Sequence, residues 1–105
     1  MTDKRIVLTT CGSVEEARRI ASSLIEQRLA ACVNIVPQIE SVYRWQGKVE
    51  NAAEWLLVIK TTTGTFARLR EALLELHSYE TPECIAIGIE DGSAAYLDWI
   101  GESVR

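Results

Sequence analysis

A chain of 105 residues, 48% apolar and 25% charged, suffices for one domain spanning residues 1–105 and is too rich in apolar side chains for a disordered one. The net charge is −4 and the 11 Lys and Arg residues are scattered without a block, which argues against a nucleic-acid surface. No apolar run approaches the roughly 20 residues of a membrane span, Ile6-Val7-Leu8 is too short for a signal-peptide core, and Cys11, Cys32 and Cys84 form no C-x-x-C pair. Free thiols in a cytoplasmic protein are therefore expected, with neither membrane nor nucleic acid among its partners.

Ile6 to Thr10 reads as a short strand, broken by Cys11-Gly12. Ser13-Val14-Glu15-Glu16 is a capping box, in which Ser13 accepts from the N–H of Glu16 and the Glu16 carboxylate reaches back. Ala17, Ile20, Ala21, Leu24 and Ile25 then fall on one face of a helix from about Val14 to Arg28. Ala31 to Val36 is an apolar strand; Pro37 removes a ladder donor and predicts a bend. The strand resumes through Ile39, Val42, Tyr43 and Trp45. Gln46-Gly47 is a hairpin turn, and a third strand runs from Lys48 to about Thr61. Thr62-Thr63 caps a second helix carrying Phe66, Leu69, Ala72, Leu73 and Leu76 and ending near His77. Ser78 to Pro82 is a loop, Glu83 to Ile89 a fourth strand, and Ala95, Tyr96, Trp99 and Ile100 mark a short third helix.

The order β-α-β-β-α-β with an added C-terminal helix is the ferredoxin-like split βαβ sandwich of the α+β class. Its sheet order is 4-1-3-2, with both main helices on one face. A sheet covered on one side alternates apolar and polar residues, and here it does not. Leu56 and Val58 oppose Trp55, Leu57 and Ile59, and the second strand is apolar on both parities. The second face therefore needs a cover. A helix of about ten residues spans only about 15 Å, too little for four strands. A homo-oligomer is expected; the competing reading is a monomer whose long hairpin folds over its own sheet.

Several segments resemble the CutA family of divalent-cation-tolerance proteins: Ala30-Ala31-Cys32-Val33-Asn34-Ile35, Ser41-Val42-Tyr43-Arg44-Trp45-Gln46-Gly47-Lys48-Val49-Glu50, Leu57-Val58-Ile59-Lys60-Thr61, His77-Ser78-Tyr79-Glu80-Thr81-Pro82-Glu83 and Gly92-Ser93-Ala94-Ala95-Tyr96-Leu97-Asp98-Trp99-Ile100. The resemblance covers nearly the whole chain in order. It implies a tight homotrimer, similar in architecture to PII signalling proteins, with a link to copper and other divalent cations. Ser78 departs from the family where some members have proline, and Gly88 where proline is usual.

In the split βαβ pattern, Cys11 ends the first strand at the same edge where the loop before the fourth strand begins. Cys11, His77 and Glu83 can therefore converge, whereas Cys32 starts the second strand at the far end. Thiolate and imidazole suit copper or zinc, with a carboxylate as a harder third ligand. The resemblance implies the same three residues as metal ligands. The competing readings are a small hydrophobe for Cys11, a cation on the helix C-terminus for His77 and a loop cap for Glu83. Cys84 is expected to pack on the sheet.

Tyr43, Arg44 and Trp45 at the hairpin tip are expected to make oligomer contacts, since aromatics and Arg dominate interface energetics. Lys60 is expected to be a solvated end-of-strand charge, with pairing to a carboxylate or a small anion as the competing role. No Ser-His-Asp order, phosphate loop or carboxylate dyad stands out. The chain is thus expected to be a homotrimer that binds or responds to a divalent metal without turnover. The alternatives are a PII-like sensor of a small anion at Lys/Arg-lined subunit clefts, and a trimeric interaction scaffold.

Overall fold

Strand β1 (Lys4–Cys11) buries Val7, Thr9 and Cys11 on one side and leaves Ile6, Leu8 and Thr10 half-buried on the other. The computed structural model describes residues 1–105. Helix α1 (Val14–Glu26) follows, with the Ser13 hydroxyl accepting from the Glu16 N–H at 3.1 Å. The reciprocal half of the expected capping box is absent, because the Glu16 carboxylate is engaged elsewhere. The helix stops two residues short of the expected Arg28. Arg28 takes φ 57, and the N–H groups of Leu29 and Ala30 both turn back to the Leu24 carbonyl, satisfying the helix end.

Strands β2 (Cys32–Trp45) and β3 (Lys48–Thr62) form one long antiparallel hairpin. Gln46 (φ 50) and Gly47 (φ 81) close it in the left-handed pair of a two-residue turn, whose twist matches that of the strands. The register slips between Val36 and Ile39. Pro37 cannot donate there, and Gln38 sits at φ 52, so the expected bend is a bulge. Helix α2 (Phe66–Leu76) begins after Thr65 rather than Thr63. The two expected capping threonines are diverted: the Thr62 hydroxyl bonds that of Thr65 at 2.9 Å, and the Thr63 hydroxyl donates to the Asp3 carbonyl. Strand β4 spans only Ile85–Gly88, shorter than expected at both ends, and helix α3 spans Ala94–Ser103.

The sheet order is β2-β3-β1-β4, antiparallel throughout, which is the expected α+β ferredoxin-like topology. One face carries the core: Val7, Cys11, Leu57 and Ile59 pack under Ala17, Ile20 and Leu24 of α1 and Leu69 and Leu73 of α2. The other face places Ile6 and Leu8 beside Ile87 and Ile85 in register, with Val58 across from Leu8. Helix α3 packs on β1 and β3 and buries Ile100 completely, but it leaves Ile85 50% and Ile87 46% exposed. Only 19 of the 105 residues are buried, a thin core for a domain of this size.

Candidate functional site

Cys11 closes β1, fully buried, with its Sγ 3.9 Å from Nε2 of His77. The expected meeting of these two residues occurs. Burial, reinforced by the charges of Glu16 and Glu54 and opposed by Arg19, pushes the Cys11 thiol up to about 12, so it stays protonated at neutral pH.

His77 is the residue at which α2 turns into extended backbone. Its side chain is wholly buried, not a surface cation on the helix dipole. Nε2 donates to the Thr10 carbonyl at 2.7 Å, while Nδ1 accepts the Tyr79 N–H at 3.1 Å. A carbonyl can only accept and an amide N–H only donate, so the ring is neutral with its proton on Nε2. The Glu16 carboxylate lies 3.7 Å from Nδ1 and accepts the Ser78 N–H at 2.7 Å. Burial is the largest influence on Glu16 and raises its pKa. The Ser78 hydrogen bonds, with the charge of Arg19, outweigh it and hold the carboxyl below its ordinary value.

Tyr79 stacks at a tilt on His77, with centroids 4.7 Å apart, and its hydroxyl donates to Glu54 Oε2 at 2.7 Å. Burial, then the Glu54 hydrogen bond and charge, raise its pKa. A Cβ at Gly12 would stand 3.1 Å from the Tyr79 hydroxyl, so glycine there admits the ring.

Glu83 does not join Cys11 and His77. It is exposed and lines a neighbouring cleft of about 630 Å³ with Glu50, Glu54, Glu80, Tyr43, Trp45 and Tyr79 among others. Cys84 is half-buried against the core, and burial raises its pKa against the influence of Arg70. Lys60 is not a free charge: it bonds Asn34 Oδ1 and lies 3.8 Å from Cys32 Sγ, its direct cross-strand neighbour.

Thiolate and neutral imidazole are metal ligands only with a free lone pair. Here the thiol is protonated, one ring nitrogen carries the proton and the other accepts a backbone N–H. No three His, Cys, Asp or Glu side chains are grouped to hold an ion. As folded, Cys11, His77 and Glu83 do not fit a resident copper or other divalent cation. Glu16, Tyr79 and Glu54 are the site residues that sequence reasoning missed; the signals were Glu16 in the capping box and Tyr79 within the His77-to-Glu83 stretch of the resemblance, and Glu54 had none.

The fold and this site define a small α+β domain with an open apolar sheet face and an acidic, aromatic cleft at one end. The chain matches the family model described as CutA1 divalent ion tolerance protein over residues 5–103. It is 51% identical over 100 residues to the divalent-cation tolerance protein CutA of Thermus thermophilus, covering 95% of this chain and 97% of that protein. A solved structure of the Thermus thermophilus protein superposes with a TM-score of 0.95 at 50% identity, covering 97% of this chain and 99% of that one. CutA from Xylella fastidiosa gives 0.96 at 38% identity over 99% and 100% of the two chains. A structure described as the periplasmic divalent cation tolerance protein CutA from Archaeoglobus fulgidus gives 0.93 at 46% identity over 97% and 99%. The chain belongs to the CutA1 divalent-ion-tolerance family. No helix is long and apolar enough to cross a membrane.

Proposed function

We propose that this protein acts in the cytoplasm as a homotrimer in divalent-cation tolerance, without catalytic turnover. One observation carries the assembly: the sheet face opposite the helices is apolar and only partly covered. Ile85 and Ile87 stand about half exposed beside Ile6 and Leu8, and Tyr96 and Trp99 of α3 are also exposed. Burying an Ile side chain is worth about 1.5–3 kcal/mol, so a second copy over this face recovers what the single chain forgoes. The hairpin strands of 14 and 15 residues carry Tyr43, Arg44 and Trp45 outward as further contacts.

Copper is the metal to try first, at a site other than the buried Cys11–His77 pair, because both ring nitrogens of His77 are engaged in hydrogen bonds. The cleft of about 630 Å³ has no Lys or Arg in its lining; the anion-sensor alternative would need Lys/Arg-lined clefts between copies of the chain. The test is the solution mass of the purified protein with and without one equivalent of Cu(II), beside a Cys11→Ser, His77→Ala variant. A trimer whose copper binding survives in the variant supports this reading. A monomer removes the assembly, and copper lost with Cys11 and His77 restores the site the sequence suggested.

A further inference from the structure

We infer that Cys32 and Lys60 form a reversible redox cross-link, in which a hydroperoxide oxidises the thiol and the lysine amine then bonds to its sulfur. The two residues are direct cross-strand partners of β2 and β3, with Nζ 3.8 Å from Sγ. Side chains directly opposite in an antiparallel pair stand on one face, and Asn34, two residues on, shares that face. Its Oδ1 bonds Lys60 Nζ and lies 3.7 Å from Cys32 Sγ, so the amide holds the amine beside the thiol. Lys60 supplies an independent observation. It is half-buried, yet none of the ion pairs includes it, so no carboxylate claims its nitrogen. Partly exposed, cationic surroundings distinguish reactive cysteines from inert ones. Of the three cysteines, only Cys32 is half-buried beside a primary amine; Cys11 is fully buried against His77 and Cys84 packs on the core.

The chemistry needs one equivalent of hydroperoxide. The Cys32 sulfur attacks a peroxide oxygen, the O–O bond breaks, and the leaving hydroxide takes the thiol proton to become water. The sulfur, now a sulfenic acid, has given up the two electrons that the peroxide gained. A sulfenic acid condenses with a neighbouring nitrogen to a sulfenamide. The neutral Lys60 amine bonds to the sulfur as the S–O bond breaks, and the expelled hydroxide leaves as water with one amine proton. A thiol restores both residues by attack on the sulfur. The closed bridge spares Cys32 the irreversible higher oxidation states and ties the edge strand β2 to β3. Cys32 lies at the opposite edge of the sheet from β4 with its exposed Ile85 and Ile87, so the inference depends on neither the trimer nor a metal.

The test treats the intact, reduced protein with stoichiometric hydrogen peroxide at mildly alkaline pH, then blocks free thiols without a reductant. The mass of the single chain falls by two hydrogens, trypsin no longer cuts after Lys60, and a peptide pair carries Cys32 joined to Lys60. Dithiothreitol reverses all three. Lys60→Arg keeps the charge and lacks the primary amine: the cross-link disappears, and dimedone, which captures sulfenic acids, labels Cys32 severalfold more. Cys84→Ser leaves the cross-link intact. Circular dichroism confirms that each variant is folded. The assignment is overturned by any one of these results: Cys32 untouched by peroxide, Cys32 oxidised while trypsin still cuts after Lys60, or a cross-link at Cys32 that survives Lys60→Arg.

Discussion

Oε2 of Glu16 accepts the backbone N–H of Ser78 at 2.7 Å, tying the first turn of α1 to the segment that follows α2. This bond and the Nε2–H of His77 on the Thr10 carbonyl lash the two helices and β1 together at the end of the sheet where the cleft opens. The pair of contacts is a structural joint, and its energetics can be read out.

Glu16→Gln keeps the shape and an acceptor but removes the charge. The folded-state pKa of Glu16 is depressed below its ordinary 4.5. Its contribution to stability is therefore complete above the unfolded value and is lost as pH falls through the folded one. The variant should be about 1 kcal/mol less stable than wild type at neutral pH. The gap should close in acid below the folded pKa. Urea unfolding of both proteins across that range measures it, and a gap independent of pH would show that the charge contributes nothing.

Tyr79→Phe strips Glu54 of its only side-chain hydrogen bond while leaving the carboxylate buried. A loss of about 1–3 kcal/mol is expected. Adding Glu54→Leu to Tyr79→Phe should recover part of it, since an apolar pair has no donor or acceptor left unmet. A double-mutant cycle measures the coupling, and additive losses would deny the Tyr79–Glu54 bond its role.

Thiol chemistry should rank the three cysteines. Cys11 is buried, with its thiol pushed up to about 12, and Cys84 is raised by burial. Iodoacetamide at mildly alkaline pH should label Cys32 first and Cys11 last, and peptide mass spectrometry over time gives the order. Early labelling of Cys11 would mean that the end of β1 opens readily.

Ile85→Glu and Ile87→Glu place a charge on the uncovered sheet face. Either change should lower the solution mass towards that of one chain while the far-ultraviolet dichroism persists, because these side chains contribute little to the single chain's own core. Light scattering over a concentration series follows the dissociation. An unchanged mass would place the subunit contact elsewhere.

The order of elements was legible because hydrophobic period and turn chemistry agree locally. Ser13 caps α1 as read, Gln46-Gly47 turns the hairpin as read, and the mixed parity of β3 pointed to the two-sided sheet that the register shows. What was misread depends on contacts between distant residues. His77 looked like a helix-end cation because its partner, the Thr10 carbonyl, belongs to a strand at the other end of the chain. Glu16 looked like half of a capping box, since nothing in its neighbourhood announces Ser78. Glu54 gave no sign at all: a charged residue within a strand reads as solvent-facing until Tyr79 and the top of the sheet close over it. Thr62 and Thr63 failed as caps for a related reason, their hydroxyls being claimed by Thr65 and Asp3.

The unequal strands also set an order of events in time. The two-residue turn at Gln46-Gly47 lets β2 and β3 zip from neighbouring residues, a process of about 1–10 μs in isolated hairpins. Strand β4 attaches only Ile85–Gly88 to Arg5–Leu8, joining opposite ends of the chain, and such non-local pairing closes late. Deuterium should therefore enter the amides of β4 well before those of the hairpin's inner half, making β4 the strand that detaches first when the protein begins to unfold.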